Sequence, residues 1–386
     1  MFWLNTFLIL IIVLGHVALT VMALNRIYAF PLPTSLLSLA RMLHDVWMVG
    51  GALAIIWVLG FHSPKALIPG YGSGIPYATI GYVILCILVA VIGIPAEWIR
   101  RLIRTTPVQI KSRGSFTLDI ADKLGHLPIG KGPYQRLVRA PFNQAFQVEF
   151  VELELILPRC PPVCDGLSIL HLSDLHFIGT IAPSYFKEVV HHVCQSEVDL
   201  VVITGDLVDD SHYIDWLPDI LGPIQATVGR YYILGNHDKP HDLSAIRNTM
   251  KEIGFVGIAG RSEEVRFNGY PIILSGTERP WIGQHPDIKE ISDNLHILLS
   301  HTPDYFLWAK KKRIDLVLSG HLHGGQVTLP GWGTVYSPSL YGGRYASGTY
   351  WDEPTLMYVN RGLSGVHPIR FGSRPEVTRL VIRSPG

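Results

Sequence analysis

Asp174, His176, Asp206, Asn236, His301, His321 and His323 are metal-seeking side chains gathered in five short blocks: LSDLHF (172–177), ITGDLVDD (203–210), ILGNHD (233–238), LLSHTPD (298–304) and LSGHLHGGQ (318–326). Each block follows an apolar, β-branched run that reads as a strand, and an open α/β sheet binds ligands beyond the carboxyl ends of its strands. Oxygen and imidazole donors without thiolate suit manganese, iron or zinc, and the histidines argue against a purely magnesium site. The set suffices for two divalent cations. Held roughly 3.5–4 Å apart, such ions repel each other and need an anionic bridge, for which Asp206 is the natural group. His191, His192, His212, His241, His285 and His296 stand in no such block and read as ordinary surface or core residues.

In order and spacing the blocks resemble the DxH, GDxxD, GNHD/E, His and GHxH motifs of the calcineurin-like metallophosphoesterases, over about residues 150–386. HGGQVTLPGWG (323–333), YGGRYASG (341–348) and YVNRGLSGVHPIRFGSRPE (358–376) resemble the branch of that family whose members often carry amino-terminal membrane segments. The resemblance implies that Asp174, His176, Asp206 and His323 hold one metal ion. Asp206, Asn236, His301 and His321 would hold the other, His237 would be the catalytic histidine, and Asp209 the carboxylate paired with it. Leu322 stands where the family more often has Thr, but that side chain is not a ligand.

Hydrolysis of a phosphate ester or pyrophosphate fits this set. Two metal ions activate water and offset phosphoryl charge, while His237, oriented and kept cationic by Asp209, protonates the leaving oxygen. Ser173 precedes Asp174 but sits in no GxSxG elbow, and no Walker loop is present. The resemblance extends to UDP-2,3-diacylglucosamine, cleaved in lipid A synthesis to a lipid monophosphate and UMP. The alternatives are a broad phosphodiesterase or phosphatase on other phospholipids or nucleotides, and a non-catalytic membrane scaffold with structural metals. Arg344, Arg361 and Arg370 lie in the Gly-rich segments near the end, either as phosphate clamps or as ion-paired surface charges.

The elements that must position these groups fall into two classes. Phe7–Leu24, Val46–Phe61 and Ile75–Trp98 are apolar stretches of bilayer-spanning character, the middle one short and preceded by Arg41, His44 and Asp45. Arg26 and Arg41 lie between the first two spans and Lys65 between the second and third, while Arg100, Arg101, Arg104, Lys111 and Arg113 follow the third. The positive-inside rule then puts the amino terminus outside and everything after the third span in the cytoplasm. The partners expected are the bilayer and a phosphorylated small molecule, lipid-linked if it is an acylated sugar nucleotide. A net charge of +1 gives no reason to expect nucleic acid.

Residues 105–145, rich in Gly and Pro, read as a connector with little regular structure between a membrane region (1–104) and a catalytic domain (146–386). FQVEFVELEL (146–155) alternates as an opening strand, placed at a sheet edge. Beyond it SILHLS, DLVVIT, YYILG, LHILLS and DLVLS alternate with helical patterns, and Asn268-Gly269 signals a hairpin. Periodicity supports an α/β domain with added hairpins, and the resemblance implies a four-layer αββα sandwich preceded by an all-α transmembrane region. Cys86 and Cys194 read as buried thiols, and Cys160 with Cys164 has no second pair for a zinc ribbon.

Overall fold

The computed structural model of the protein describes residues 2–62, 77–288, 294–331 and 333–385. Lys65 and Ile75, used above to place a loop and a span, and Trp332 of the HGGQ segment lie outside the described residues. The chain divides into two compact units, Met1–Thr105 with Pro338–Gly342, and Thr106–Ser337 with Gly343–Gly386.

The first unit contains three helices long and apolar enough to cross a membrane, Trp3–Tyr28, Thr34–Gly60 and Tyr77–Leu102. The middle helix is longer than its apolar core, because helical backbone runs on through Arg41, His44 and Asp45. Arg41 and Asp45 face each other one turn apart at 3.8 Å, and His44 Nδ1 meets Asp45 Oδ1 at 2.9 Å, so these polar groups are partnered locally. A Cβ on Gly15 would lie 1.8 Å from the Cys86 carbonyl oxygen, which shows how closely the first and third helices approach. The buried His16 accepts from the Tyr82 hydroxyl at 2.5 Å through Nδ1, leaving Nε2 to donate to the carbonyls of Trp47 and Met48, each 3.1 Å away.

The second unit holds strands β1 (Ile110–Asp119), β2 (Gln147–Ile156), β3 (Ser168–Leu172), β4 (Leu200–Thr204), β5 (Gly229–Ile233), β6 (Val256–Gly257), β7 (Ser262–Phe267) and β8 (Tyr270–Thr277). They are followed by β9 (His296–Ser300), β10 (Leu316–Ser319), β11 (Thr328–Leu329), β12 (Gly333–Thr334), β13 (Gly348–Asp352), β14 (Thr355–Val359) and β15 (Glu376–Arg383). One sheet runs β1-β2-β15-β3-β4-β5-β6 and the other β13-β14-β10-β9-β8-β7. In β4, Leu200 and Val202 point into the core between the sheets, while Val201 and Ile203 point outward under the helices Pro183–Val193, Trp216–Leu221 and Leu243–Glu252. On the far side Leu298, Val317 and Met357 are buried on the face covered by the helix Phe306–Lys311. The period-2 alternation thus builds two apolar cores around one sheet, in the four-layer αββα order.

Residues 105–145 depart from a structureless connector. β1 pairs antiparallel with β2 along its length, from Ile110 opposite Leu155 to Asp119 opposite Gln147. Asp119 then caps the helix Ile120–Leu124 by accepting from the amides of Ala121 and Asp122 at 3.0 and 3.2 Å. Its sequence, IKSRGSFTLD, is polar because most of an edge strand faces solvent, so apolar alternation is missing. The same pairing removes β2 from the edge, and β15, which periodicity did not reveal, inserts between β2 and β3.

Two imidazoles in these cores are held neutral. His171 faces the Thr204 hydroxyl at 2.9 Å and His296 faces Ser275 Oγ at 2.7 Å, and burial pushes them down to about 3 and about 4. The unfolded chain protonates both below an ordinary value of about 6.5, whereas the folded chain does not. Stability present above that pH is therefore lost as pH falls toward the folded values, by about 1.4 kcal/mol per pH unit per ring. The melting temperature of detergent-solubilised protein is expected to drop on this acid limb, less steeply in His296→Gln. An identical slope in the variant would remove His296 from the cause.

Candidate metal centre

Both sheets deliver side chains to one place. Asp174, Asp206 and Asn236 follow β3, β4 and β5, which run parallel in the first sheet; His301 follows β9, and His321 and His323 follow the parallel β10, in the second. Asp174 (φ 53°), His176 (φ 48°), Asp206 (φ 54°), His321 (φ 72°) and His323 (φ 51°) all have left-handed backbone. Each such residue costs about 1–2 kcal/mol and persists only where its surroundings over-determine it. Here Asp174 N donates to Gly205 O and His176 N to Asp206 O, both at 3.0 Å, while the Asp174 carboxylate accepts from His321 N. Gly235 is fixed by space: a Cβ there would fall 2.1 Å from Asp206 Oδ1.

Three groups of donors result. Asp174, His176 and His323 form one, Asp206, His301 and His321 a second, and His176, Asp209 and His237 a third. Asn236 joins the second group through Oδ1, 3.0 Å from His301 Nε2. Asp206 Oδ2 lies 3.2 Å from His301 Nε2 and 3.6 Å from His176 Nε2, between the first two groups. It is buried and receives no hydrogen bond. His301 already gives its Nδ1 proton to Thr204 O at 2.6 Å, and His176 gives its own to Asp209 Oδ2 at 2.7 Å. What fills the gap between that carboxylate oxygen and the inward nitrogens must be positive, either a ring proton or a metal cation. Ring nitrogens held from behind by acceptors are the usual arrangement of metal-ligating histidines. The donors present therefore fit divalent metal.

The profile of the calcineurin-like phosphoesterases matches residues 167–325, which contain all seven proposed ligands. The metallophosphoesterase YkuE of Bacillus subtilis is 31% identical over 257 residues, covering 64% of this chain and 89% of YkuE. The chain belongs to the calcineurin-like metallophosphoesterases. Other relatives are phosphodiesterase YaeI of Escherichia coli, 29% identical over 55% of this chain and 80% of its own, and a transmembrane protein with a metallophosphoesterase domain from Danio rerio. The latter is 28% identical over 62% of this chain and 59% of its own length. Metallophosphoesterases are phosphoester hydrolases that use divalent metal ions, and this one is membrane-associated through its apolar helices.

Within this metallophosphoesterase, Asp209 does more than its sequence position indicated. Its Oδ1 meets His237 Nδ1 at 2.6 Å while its Oδ2 holds His176, so one carboxylate orients two rings. Burial alone would raise the Asp209 carboxyl, but the two imidazoles outweigh it and hold it well below the usual range. Burial would likewise lower His237, and Asp206 and Asp209 outweigh that, raising it to about 10. The His237 side chain is 38% exposed, unlike the buried His176 and His301, and so is the ring open to an incoming molecule.

Arg361 and Arg370 are not phosphate clamps. Arg361 is paired with Glu376 and with Glu149, the latter at 2.8 Å. Arg370 is buried, donating to the carbonyls of Ser364, of Arg361 at 2.8 Å and of His323 at 3.1 Å. Its Nη2 also donates to His323 Nδ1 at 3.1 Å, which leaves the ring proton on Nε2, 3.2 Å from His176 Nε2. Ligation through that nitrogen would require the ring proton on Nδ1, where Arg370 now donates. Arg344 is exposed, with its guanidinium over the Tyr345 ring.

Other contributors escaped sequence reasoning. Asp238 accepts from the amides of Leu207, Val208 and Gly235 at 2.8–3.0 Å, tying the loops of Asp206 and Asn236 together. Its place directly after GNH was the available signal. Glu278, which accepts from Leu234 N at 2.7 Å and pairs with Arg247, and Trp281, whose ring lies 4.8 Å from His321 and 5.6 Å from His301, carried none.

Two outcomes are expected. Asp206 and then Asp174 overcome burial and raise the His301 imidazole to about 9, so a cation must displace its proton below that pH. Apparent manganese affinity should therefore rise up to about tenfold per pH unit between about pH 6 and 8, with proton release visible by calorimetry in buffers of different ionisation heat. Asp209→Asn should lose metal from the His176 group and slow turnover, whereas His237→Ala should keep near-normal metal content. Elemental analysis of the two variants decides this.

Proposed function

We propose that Asp174, His176, Asp206 and His323 hold one divalent cation and Asp206, Asn236, His301 and His321 a second, in a hydrolase of phosphodiesters or pyrophosphates at the cytoplasmic membrane surface. The observation that carries this reading is the unsatisfied Asp206 oxygen between two donor groups, beside the partly exposed His237 and its buried partner Asp209. When bound, cations of manganese, iron or zinc type would supply Lewis acidity to the phosphoryl group and acidity to the attacking water. Asp206 would offset the repulsion between them. Asp209 keeps the His237 Nδ1 proton in place, leaving Nε2 to face the leaving oxygen and deliver a proton to it. Cationic at neutral pH, His237 also offsets phosphoryl charge before that transfer.

Membrane anchorage supports an amphiphilic substrate, since a tethered site meets lipid-linked molecules at high local concentration. Similarity to the phosphodiesterase YaeI supports a diester. An acylated sugar nucleotide such as UDP-2,3-diacylglucosamine is the specific case that the sequence resemblance implies. Arg100, Arg101 and Arg104 at the end of the third helix support a cytoplasmic catalytic unit.

Purified full-length protein, chelated and resupplied with manganese, zinc or magnesium, is expected to hydrolyse lipid phosphodiesters or pyrophosphates. His237→Ala should lose roughly 10²- to 10⁴-fold on an alkyl leaving group and much less on nitrophenolate, which needs no proton. Equal losses on both would leave His237 with charge stabilisation alone. Absence of metal-dependent turnover on any phosphoester would sink the catalytic reading, and a carboxyl-terminal reporter exposed outside the cell would overturn the orientation.

A further inference from the structure

The segments beside His323 form a rim of unusual chemistry. Asn143 Nδ2 donates to the carbonyls of Leu137, Val138 and Pro368 at 2.8–3.2 Å, and Arg370 N donates back to Asn143 Oδ1 at 2.9 Å. This fastens residues 131–144 to residues 364–372. Tyr134 packs on the His367 ring at 4.5 Å, and Gln326 Nε2 donates to His367 O at 3.2 Å, three residues along the chain from His323. The rim is therefore adjacent to the proposed metal site.

Its surface is apolar and basic together. Phe142 is 84% exposed on left-handed backbone (φ 61°), Tyr134 is 46% exposed and Phe371 38%. Lys131, Arg136 and Arg139 are exposed around them, and no ion pair engages these three among the described residues. The chain carries no Asp or Glu between Asp122 and Glu149, nor between Glu353 and Glu376, so both segments of the rim lack negative charge. Protruding aromatic rings among uncompensated cations match a bilayer interface with anionic headgroups: the rings enter the headgroup–acyl boundary and the cations meet lipid phosphate.

We propose that this rim docks the catalytic unit onto an anionic membrane surface, presenting the site at the level of lipid headgroups. The inference deepens the reading of a hydrolase for lipid-linked phosphoesters and rests on it for its purpose. Such docking explains why a hydrolase that is already tethered would carry exposed aromatic residues next to its catalytic groups. It adds a second attachment whose strength depends on lipid charge, whereas the helices anchor irrespective of it.

The test uses full-length protein with Cys194→Ser and Phe142→Cys, labelled with a nitroxide; Cys86, Cys160 and Cys164 are buried, whereas Cys194, which reads from the sequence as a buried thiol, is exposed at the end of its helix. Reconstituted in phosphatidylcholine vesicles containing phosphatidylglycerol, the label should be accessible to oxygen and shielded from a water-soluble nickel chelate. A label at the exposed Lys251 (Lys251→Cys) should stay in water. Combined Lys131→Glu, Arg136→Glu and Arg139→Glu should return the first label to water and slow hydrolysis of a diacyl phosphodiester in the same vesicles by roughly 100-fold or more, the loss of three cations from an anionic surface. Hydrolysis of soluble bis(p-nitrophenyl) phosphate should be unchanged. A label that remains in water in anionic vesicles overturns the proposal, as does one shielded equally in detergent and in both lipids, the mark of a protein partner. Lipid entry without hydrolysis of either ester upholds the surface and overturns the catalytic reading.

Discussion

Three carboxylates, Asp174, Asp206 and Asp209, are withdrawn from water within a few ångströms of His176. Ionised oxygens in such a place are tolerated only when positive charge and hydrogen bonds replace the lost hydration. Most of the surrounding structure answers this demand. His301, His237 and His176 outweigh burial and hold the Asp206 carboxyl well below its usual range. The same carboxylates draw positive charge back onto His237 and His301. A divalent cation of the kind this family uses would meet several of these donors at once.

The scaffold spends left-handed backbone to aim these donors, and it holds that backbone with amides. Asp238 gathers three of them from two loops, and Glu278 joins the end of β5 to the end of β8, linking the sheets behind the site. On the opposite flank Arg361 bridges Glu149 and Glu376, and Arg370 fastens the chain around His323 to the closing loop. Precision of the site thus comes from buried polar contacts between loops, while the apolar cores on either face of the first sheet supply rigidity beneath them.

Arg361 and Arg370 show how residue type misleads when burial is unknown. A guanidinium in a Gly-rich segment suits a phosphate clamp on paper. In place, one closes an ion-pair network and the other satisfies carbonyls in the interior, because Gly-rich chain folds back over them. The apolar helices pose the converse case. Arg41, His44 and Asp45 seemed to shorten the middle span, yet the charges pair along the helix surface and the helix continues through them.

Local order and chemical type were legible without coordinates: the Asp and His side chains that the structure gathers into donor groups, their positions after apolar strand runs, the α/β alternation and the long apolar helices. Each depends on residues near one another in sequence, where periodicity and motif spacing carry the information. Only the tertiary structure decided that the polar segment 110–119 is an edge strand, that β15 enters the sheet between β2 and β3, and that Asp209 orients two rings. It also decided that residues 131–144 are fastened beside His323. These are pairings between distant parts of the chain. Edge strands need no apolar alternation, and a carboxylate's partners depend on which loops the sheets bring together, so no local pattern could encode them.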